Sequence, residues 1–398
     1  MRELLTIVGC LAAMAVFFFL ERLSVLRAAG RIPLRIAVTG TRGKSSVTRL
    51  IAASLRADGR SVLAKTTGSK AMVIFPDGAE EEIVRRGLPT ILEQKIILRR
   101  AAALGTGAMV TELMSVRPEM LEVESRRLIR PHILVITNAR VDHREEMGQT
   151  RAEIARSLAA AIPPDSTVFI LEEENRPEFE RAASEAGSRL ISVKRGGPPE
   201  VDAEPRPAPG LAFEGDLALA LAVSGHIGVA REPALRGIAG ARPDFGSLRA
   251  WDADLGDPPA PWTLVSAFAA NDPVSSRRAL ARLAGLRSGP ARDLVGLLNL
   301  RSDRGDRTLQ WLDALRDGFF DGFAALYVIG AHTRSKRWRS AGALPILRPL
   351  DHRAPGPLLA EIVRAHSAGG VLVGLGNMGG PGRSLVEHWE RIGRTHAL

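Results

Sequence analysis

At 398 residues, 45% hydrophobic and 25% charged, the chain is long enough for two or three packed domains and too apolar to be disordered. Its 39 glycines and 25 prolines are near ordinary usage, and no repeat of fixed period is visible, which excludes collagen-like, solenoid and low-complexity classes. The formal charge of +10 is carried almost wholly by arginine, but only 5% of residues are aromatic and no basic run has aromatic side chains interleaved, so nucleic acid is not the expected partner.

The chain opens on an uncharged run, Leu4 to Leu20, which as a helix covers about 26 Å. Glu21, Arg22 and Leu23 follow where small residues would mark a cleaved signal, so a retained membrane anchor with its basic flank is expected over residues 1–31. Arg22, Arg27, Arg31 and Arg35 follow the run and only Arg2 precedes it. That bias places the bulk of the chain in the cytoplasm. A helix packed on the protein is the competing reading. The lone cysteine, Cys10, lies within the run and allows no intrachain disulfide.

A short apolar strand from Arg35 to Val38 leads into TGTRGKSS, and then into a segment whose apolar positions Val47, Leu50, Ile51 and Leu55 recur at helical spacing. Strand, glycine turn and helix in that order form a phosphate cradle. Backbone N–H groups converge on anion oxygens at the helix N-terminus, where the helix dipole also favours negative charge. Gly40, Thr41, Arg42, Gly43, Lys44, Ser45 and Ser46 are the expected nucleotide contacts. Lys44 is placed to reach the terminal phosphates, and the Ser45 hydroxyl to ligate Mg²⁺. The usual spacing would put glycine at position 38, where this chain has Val38; the compact form G-T-x-G-K-S is met in full.

Two further apolar runs follow, Ala108 to Thr111 ending in Glu112, and Ile133 to Thr137 leading to Asn138, Asp142 and His143. Both suit parallel strands buried on two faces, and open α/β sheets place ligands at the carboxyl ends of their strands. A carboxylate there suits Mg²⁺. Glu112 and His143 are therefore candidate metal and catalytic groups beside Lys44 and Ser45.

The compact loop resembles that of the Mur ligases, ATP-dependent amide ligases. That resemblance implies that Glu112 and the Asp142-His143 pair bind a second magnesium. It also implies a carbamylated lysine further on, but the chain has no lysine between Lys95 and Lys194. The stretches KTTGSKAMVIFPDGAEEEIVRRGLPTILEQ, TELMSVRPEML and ITNARVDHREEMG are similar to the ligase subunits of poly-γ-glutamate synthases of the CapB type, membrane-anchored relatives of the Mur ligases. The similarity is dense from about Thr39 to Pro163. It implies an α/β fold: a P-loop central domain built on a parallel sheet, a smaller C-terminal α/β domain, and the N-terminal membrane helix.

Beyond Pro163, STVFILEEEN reads as a strand and turn, EGDLALALAVSGHIGVA as a helix, and Arg195 to Gly210 as a surface loop. The central domain is expected over 32–242, a linker carrying Pro258, Pro259 and Pro261 over 243–262, and the C-terminal domain over 263–398. In the last, Asn271-Asp272-Pro273 and Ser275 resemble a nucleotide-contacting N-P-x-S element of the Mur ligases with an Asp inserted. Asn271 is carried over on that ground. Arg304 and Arg307 are placed to meet phosphate across a domain cleft, and the glycine-rich turn from Gly374 to Gly382 is a possible anion site.

The resemblance implies ATP and Mg²⁺ as cofactors, and glutamate condensed through an acyl phosphate into poly-γ-glutamate. Its partners would be the growing polymer and other membrane subunits for synthesis and export; self-association is left open. Another Mur-type ligase, acting on a cell-wall precursor or a folate, is one alternative. A membrane-tethered P-loop NTPase that energises transport is the other.

Overall fold

The computed structural model describes residues 1–68, 70–85, 87–140, 143–195, 214–283, 293–302, 305–331, 347–350 and 354–396. The chain divides into two compact units, the first ending at Asp244 and the second beginning at Phe245.

The first unit starts with α1 (Arg2–Gly30), a helix long and apolar enough to cross a membrane, its apolar window wholly exposed. Its last turns behave differently: Val25, Ala28 and Ala29 are buried in the core of the unit. Arg35, expected to open the first strand, lies at the start of β1 (Leu34–Thr39). Its guanidinium donates to the carbonyls of Ala29 (2.6 Å), in the last turn of α1, and Ile32 (2.8 Å), just past it, and to those of Ile129 and Arg130 (3.0 Å each). The carbonyls that end a helix need such donors, so this arginine ties the helix to the sheet.

Strand and helix then alternate: α2 (Lys44–Ala57), β2 (Val62–Thr66), a hairpin of β3 (Met72–Ile74) and β4 (Glu80–Glu82), α3 (Leu92–Ala103) and β5 (Ala108–Glu112). After α4 (Pro118–Glu122) and a π-helical turn (Val123–Ile129) come β6 (Ile133–Ile136), α5 (Arg144–Met147), α6 (Arg151–Ala159), β7 (Thr167–Leu171), α7 (Pro177–Glu185), β8 (Arg189–Val193), α8 (Glu214–His226) and α9 (Arg231–Ala239). The sheet order is β4-β3-β2-β5-β1-β6-β7-β8, parallel from β2 to β8. Every residue of β5 and β6 is buried, as continuous apolar runs demand when helices cover both faces. Val38 is level with Glu112 on one side and Val135 on the other. Three strands therefore end together, and the loops that leave them meet.

The second unit holds β9 (Arg249–Leu255), β10 (Ala260–Ser266), α10 (Pro273–Ala281), β11 (Asp293–Leu300), α11 (Gly305–Arg316), β12 (Ala325–Gly330), β13 (Leu347–Pro349), α12 (Pro355–Ala365), β14 (Gly370–Gly376), α13 (Pro381–Ile392) and β15 (Arg394–His396). Its sheet runs β13-β12-β11-β14-β10-β9-β15, with the first five strands parallel and the last two antiparallel to their neighbours. One face is packed by Trp311, Phe319 and Phe320, the other by Trp251, Trp262, Phe268 and Trp389.

Half of the stretch expected as a linker is therefore strand. β9 and β10 pair from Arg249↔Ser266 to Leu255↔Ala260. Pro258 and Pro259 fall in the turn between them, and Pro261 lies one residue before the pairing with β14 begins at Trp262. A proline is tolerated where no ladder donor is required. The expected surface loop from Arg195 to Gly210 lies, apart from Arg195, outside the described residues.

Candidate active site

The phosphate loop is shaped by two glycines that no other residue could replace without strain. Gly40 has φ +127° and Gly43 φ +82°, in the region open to glycine. A Cβ on Gly40 would collide with Thr137 Oγ1, and one on Gly43 would stand 2.7 Å from Asp216 Oδ1. The end of β6 straps the loop from the other side. Thr137 Oγ1 and Asn138 Nδ2 donate to the Arg42 carbonyl (2.6 and 3.0 Å), while Thr41 Oγ1 and the Arg42 N–H donate to Asn138 Oδ1 (2.7 and 3.2 Å).

α2 starts directly from this turn. Its first intrahelical bond is Val47 N–H to Gly43 O (2.9 Å), and its first turn has neither a side-chain cap nor an acidic residue. The N–H groups of Lys44, Ser45 and Ser46 thus belong to the orphan set that a helix N-terminus offers to an anion. The Lys44 amine lies back across the turn and donates to Gly40 O (2.8 Å). That position holds a cation where a phosphate would enter.

Glu112, 2% exposed at the end of β5, faces the same corner. Its Oε2 accepts from Ser45 Oγ (2.7 Å) and from the Thr67 N–H (2.7 Å). A hydroxyl and a carboxylate at that separation are hard oxygen donors of the kind Mg²⁺ takes together with phosphate and water. Among the described residues no cluster of three or more His, Cys, Asp and Glu side chains gathers, so phosphate and water would have to complete the shell, as is usual for this ion.

His143 stands on the loop between β6 and α5. It follows β6 as expected, with left-handed backbone (φ 47°, ψ 49°) ahead of α5, but its described ionic neighbour is Glu146 at 3.9 Å. Asp142 and Arg304 lie outside the described residues. Asn271 lies in the second unit, where the adjacent Asp272 caps α10 by accepting from the Ser275 N–H (2.8 Å). The inserted aspartate of that element therefore has a local structural task.

A second layer was not read from the sequence. Lys65 on β2 is fully buried and sits 3.4 Å from Glu93, itself held by Arg85 (2.6 and 3.0 Å). Burial lowers the pKa of Lys65, opposed by Glu93, Glu124 and Glu112. Gln94 Nε2 donates to the Glu112 carbonyl (3.2 Å) and to Glu124 (2.6 Å), which also accepts from the N–H groups of Met114 and Ser115. The backbone on either side of Glu112 is thereby fixed. The one sequence signal for this layer is that Lys65 is a lysine inside an otherwise apolar strand.

Two family models match the chain: the Mur ligase middle domain over residues 38–203, and the poly-gamma-glutamate synthase CapB C-terminal domain over 254–392. The PGA synthase CapB of Bacillus subtilis (strain 168) is 30% identical over 388 residues, 96% of each chain. The capsule biosynthesis protein CapB of Bacillus anthracis is 31% identical over 312 residues, 78% of this chain and 66% of that one. Among solved structures, E. coli FolC in complex with ADP aligns with a TM-score of 0.65 at 17% identity, covering 94% of this chain and 93% of that one. MurF from Acinetobacter baumannii aligns with a TM-score of 0.64 at 17% identity, covering 92% and 80%.

Proposed function

Because the chain belongs to the CapB family, and is with it an ATP-dependent amide ligase of the Mur type, we propose that it polymerises glutamate through the side-chain carboxylate. The observation that carries the site assignment is the meeting of the Ser45 hydroxyl with Glu112 at 2.7 Å, at the mouth of a loop whose lysine lies across it. A carboxylate does not condense with an amine at neutral pH unless an oxygen is first made a leaving group. In the proposed reaction a γ-carboxylate oxygen of the donor attacks the terminal phosphorus of ATP, the bond to the ADP oxygen breaks, and an acyl phosphate forms. The amino group of the acceptor, having lost a proton, then attacks the acyl carbon and phosphate departs with the carboxylate oxygen.

The protein has little covalent work in this scheme. Lys44 and the N–H groups of the first turn of α2 orient the triphosphate and offset charge that builds on the transferred group. Ser45 and Glu112 would hold Mg²⁺, which neutralises phosphate charge when bound. Arg42 and Thr41 are assigned to the nucleotide, and His143, on the loop after β6, to phosphate or a second ion. The arginine excess suits a polyanionic product. α1 is proposed to anchor the enzyme with its catalytic part in the cytoplasm, among other membrane subunits of a synthase and export assembly.

Glutamate carrying ¹⁸O in its carboxylates distinguishes the route. With ATP and Mg²⁺, one ¹⁸O should appear in inorganic phosphate for each γ-amide formed. Unlabelled phosphate would sink the acyl-phosphate route, and ATP hydrolysis without any γ-linked product would sink the ligase reading.

A further inference from the structure

α1 and α3 lie side by side and run the same way. The Lys95 amine donates to Glu21 (2.8 and 2.9 Å) and Arg99 Nε to Ser24 Oγ (3.3 Å), so a step forward on one helix matches a step forward on the other. Beyond both helices the Leu34 N–H bonds Gly107 O (3.3 Å), where the two chains enter neighbouring strands at the amino edge of the sheet. Traced backward, α3 begins at Leu92, about 4.5 Å before Lys95. That level matches the last turn of the exposed apolar run on α1, Phe17 to Leu20.

At this end the surface is apolar as well. Leu92 and Ile96, one turn apart on α3, are 52% and 62% exposed, and Val84 and Leu88 in the preceding segment are 82% and 92% exposed. Four large apolar side chains within thirteen residues of one segment mark an interaction surface. Arg22 and Arg99, both exposed, stand near the same level, and apolar groups beside cations suit the boundary of an anionic bilayer.

The placement also orients the site. α3 starts at the carboxyl edge of the sheet, where Gln94 bonds the carbonyl of Glu112. We infer that Val84, Leu88, Leu92 and Ile96 rest in the headgroup layer of the membrane that holds α1, so that the edge carrying the phosphate loop faces the bilayer. The inference rests on the proposed anchoring by α1.

Fluorescent probes on the full-length protein, reconstituted in phosphatidylcholine–phosphatidylglycerol vesicles containing nitroxide lipids, separate the two. A probe on the native Cys10, which is exposed, reports the anchor. Probes on Leu88→Cys and Leu104→Cys, each with Cys10→Ser, report the two ends of α3, and retained ATP turnover reports the fold. Emission at 88 should shift to the blue and be lost to shallow nitroxides, while 104 stays solvent-like. Quenching at Cys10 with none at 88 overturns the inference and leaves the anchor. A blue shift at 88 without quenching also overturns it, assigning the patch to a protein partner. No quenching at Cys10 overturns both.

Discussion

The phosphate corner depends on single atoms. Lys44 is the cation that lies across the turn, so Lys44→Ala should lower kcat by at least about 100-fold, the scale of losing a preorganised charge at a reacting centre. Circular dichroism and Tm should stay as in the parent, because the amine bonds only a loop carbonyl. Retained turnover would remove Lys44 from the site. Glu112→Gln keeps an acceptor for Ser45 and Thr67 but loses the charge. The Mg²⁺ concentration for half-maximal turnover should rise about 10–100-fold, with affinity for ATP in saturating magnesium little changed. An unaltered magnesium titration would show that the carboxylate serves the backbone alone.

At the scale of elements, alternating buried strands and amphipathic helices declare themselves through their periods, and the compact loop between β1 and α2 could be placed because glycine, lysine and serine each have a local job there. What escaped depends on contacts distant in sequence. The hairpin of β9 and β10 hid behind three prolines that sit where no donor is needed, and the Thr137-Asn138 strap acts on residues nearly a hundred positions earlier. Lys65 reads as a surface side chain until α3 brings Glu93 to it. Removing one member of a buried pair costs about 3–5 kcal/mol, so Lys65→Met should destabilise on that scale in denaturant unfolding. Lys65→Met with Glu93→Gln should recover about 1–3 kcal/mol of coupling; strict additivity would deny the pair. A second tie between elements is pH-sensitive. The Arg35 N–H donates to His132 Nδ1 (3.1 Å), and desolvation, then the Arg35 guanidinium, lowers the His132 pKa. The folded state therefore resists a proton that the unfolded chain accepts. This contribution is complete above the ordinary histidine range and is lost as pH falls through that range towards the folded value. Tm should decline between pH 7 and 5.5 in the parent and less steeply in His132→Gln; equal slopes would exclude this histidine as the cause.

At the scale of the whole molecule, α1 combines two roles that truncation can separate. Its first turns, through Leu20, hold no buried residue: Leu4, Leu5, Leu11 and Phe17 are each more than half exposed. Its last turns belong to the core. Val25, Ala28 and Ala29 are buried in the same cluster as Ile97, Leu98 and Ile129, Glu21 is paired with Lys95, and Arg35 closes the carbonyls of Ala29 and Ile32. Deleting residues 2–20 should therefore release the enzyme from membranes while leaving its unfolding midpoint and detergent-solubilised ATP turnover near those of the parent. Deleting residues 2–30 removes a buried valine and two buried alanines from the packed face, worth about 3–5 kcal/mol at ordinary transfer energies. It also takes the Ala29 carbonyl away from the Arg35 guanidinium. The shorter deletion should fold and the longer one should aggregate or melt well below it. Equal stability of the two truncations would mean that the carboxyl end of α1 is only a tether, with no structural hold on the sheet.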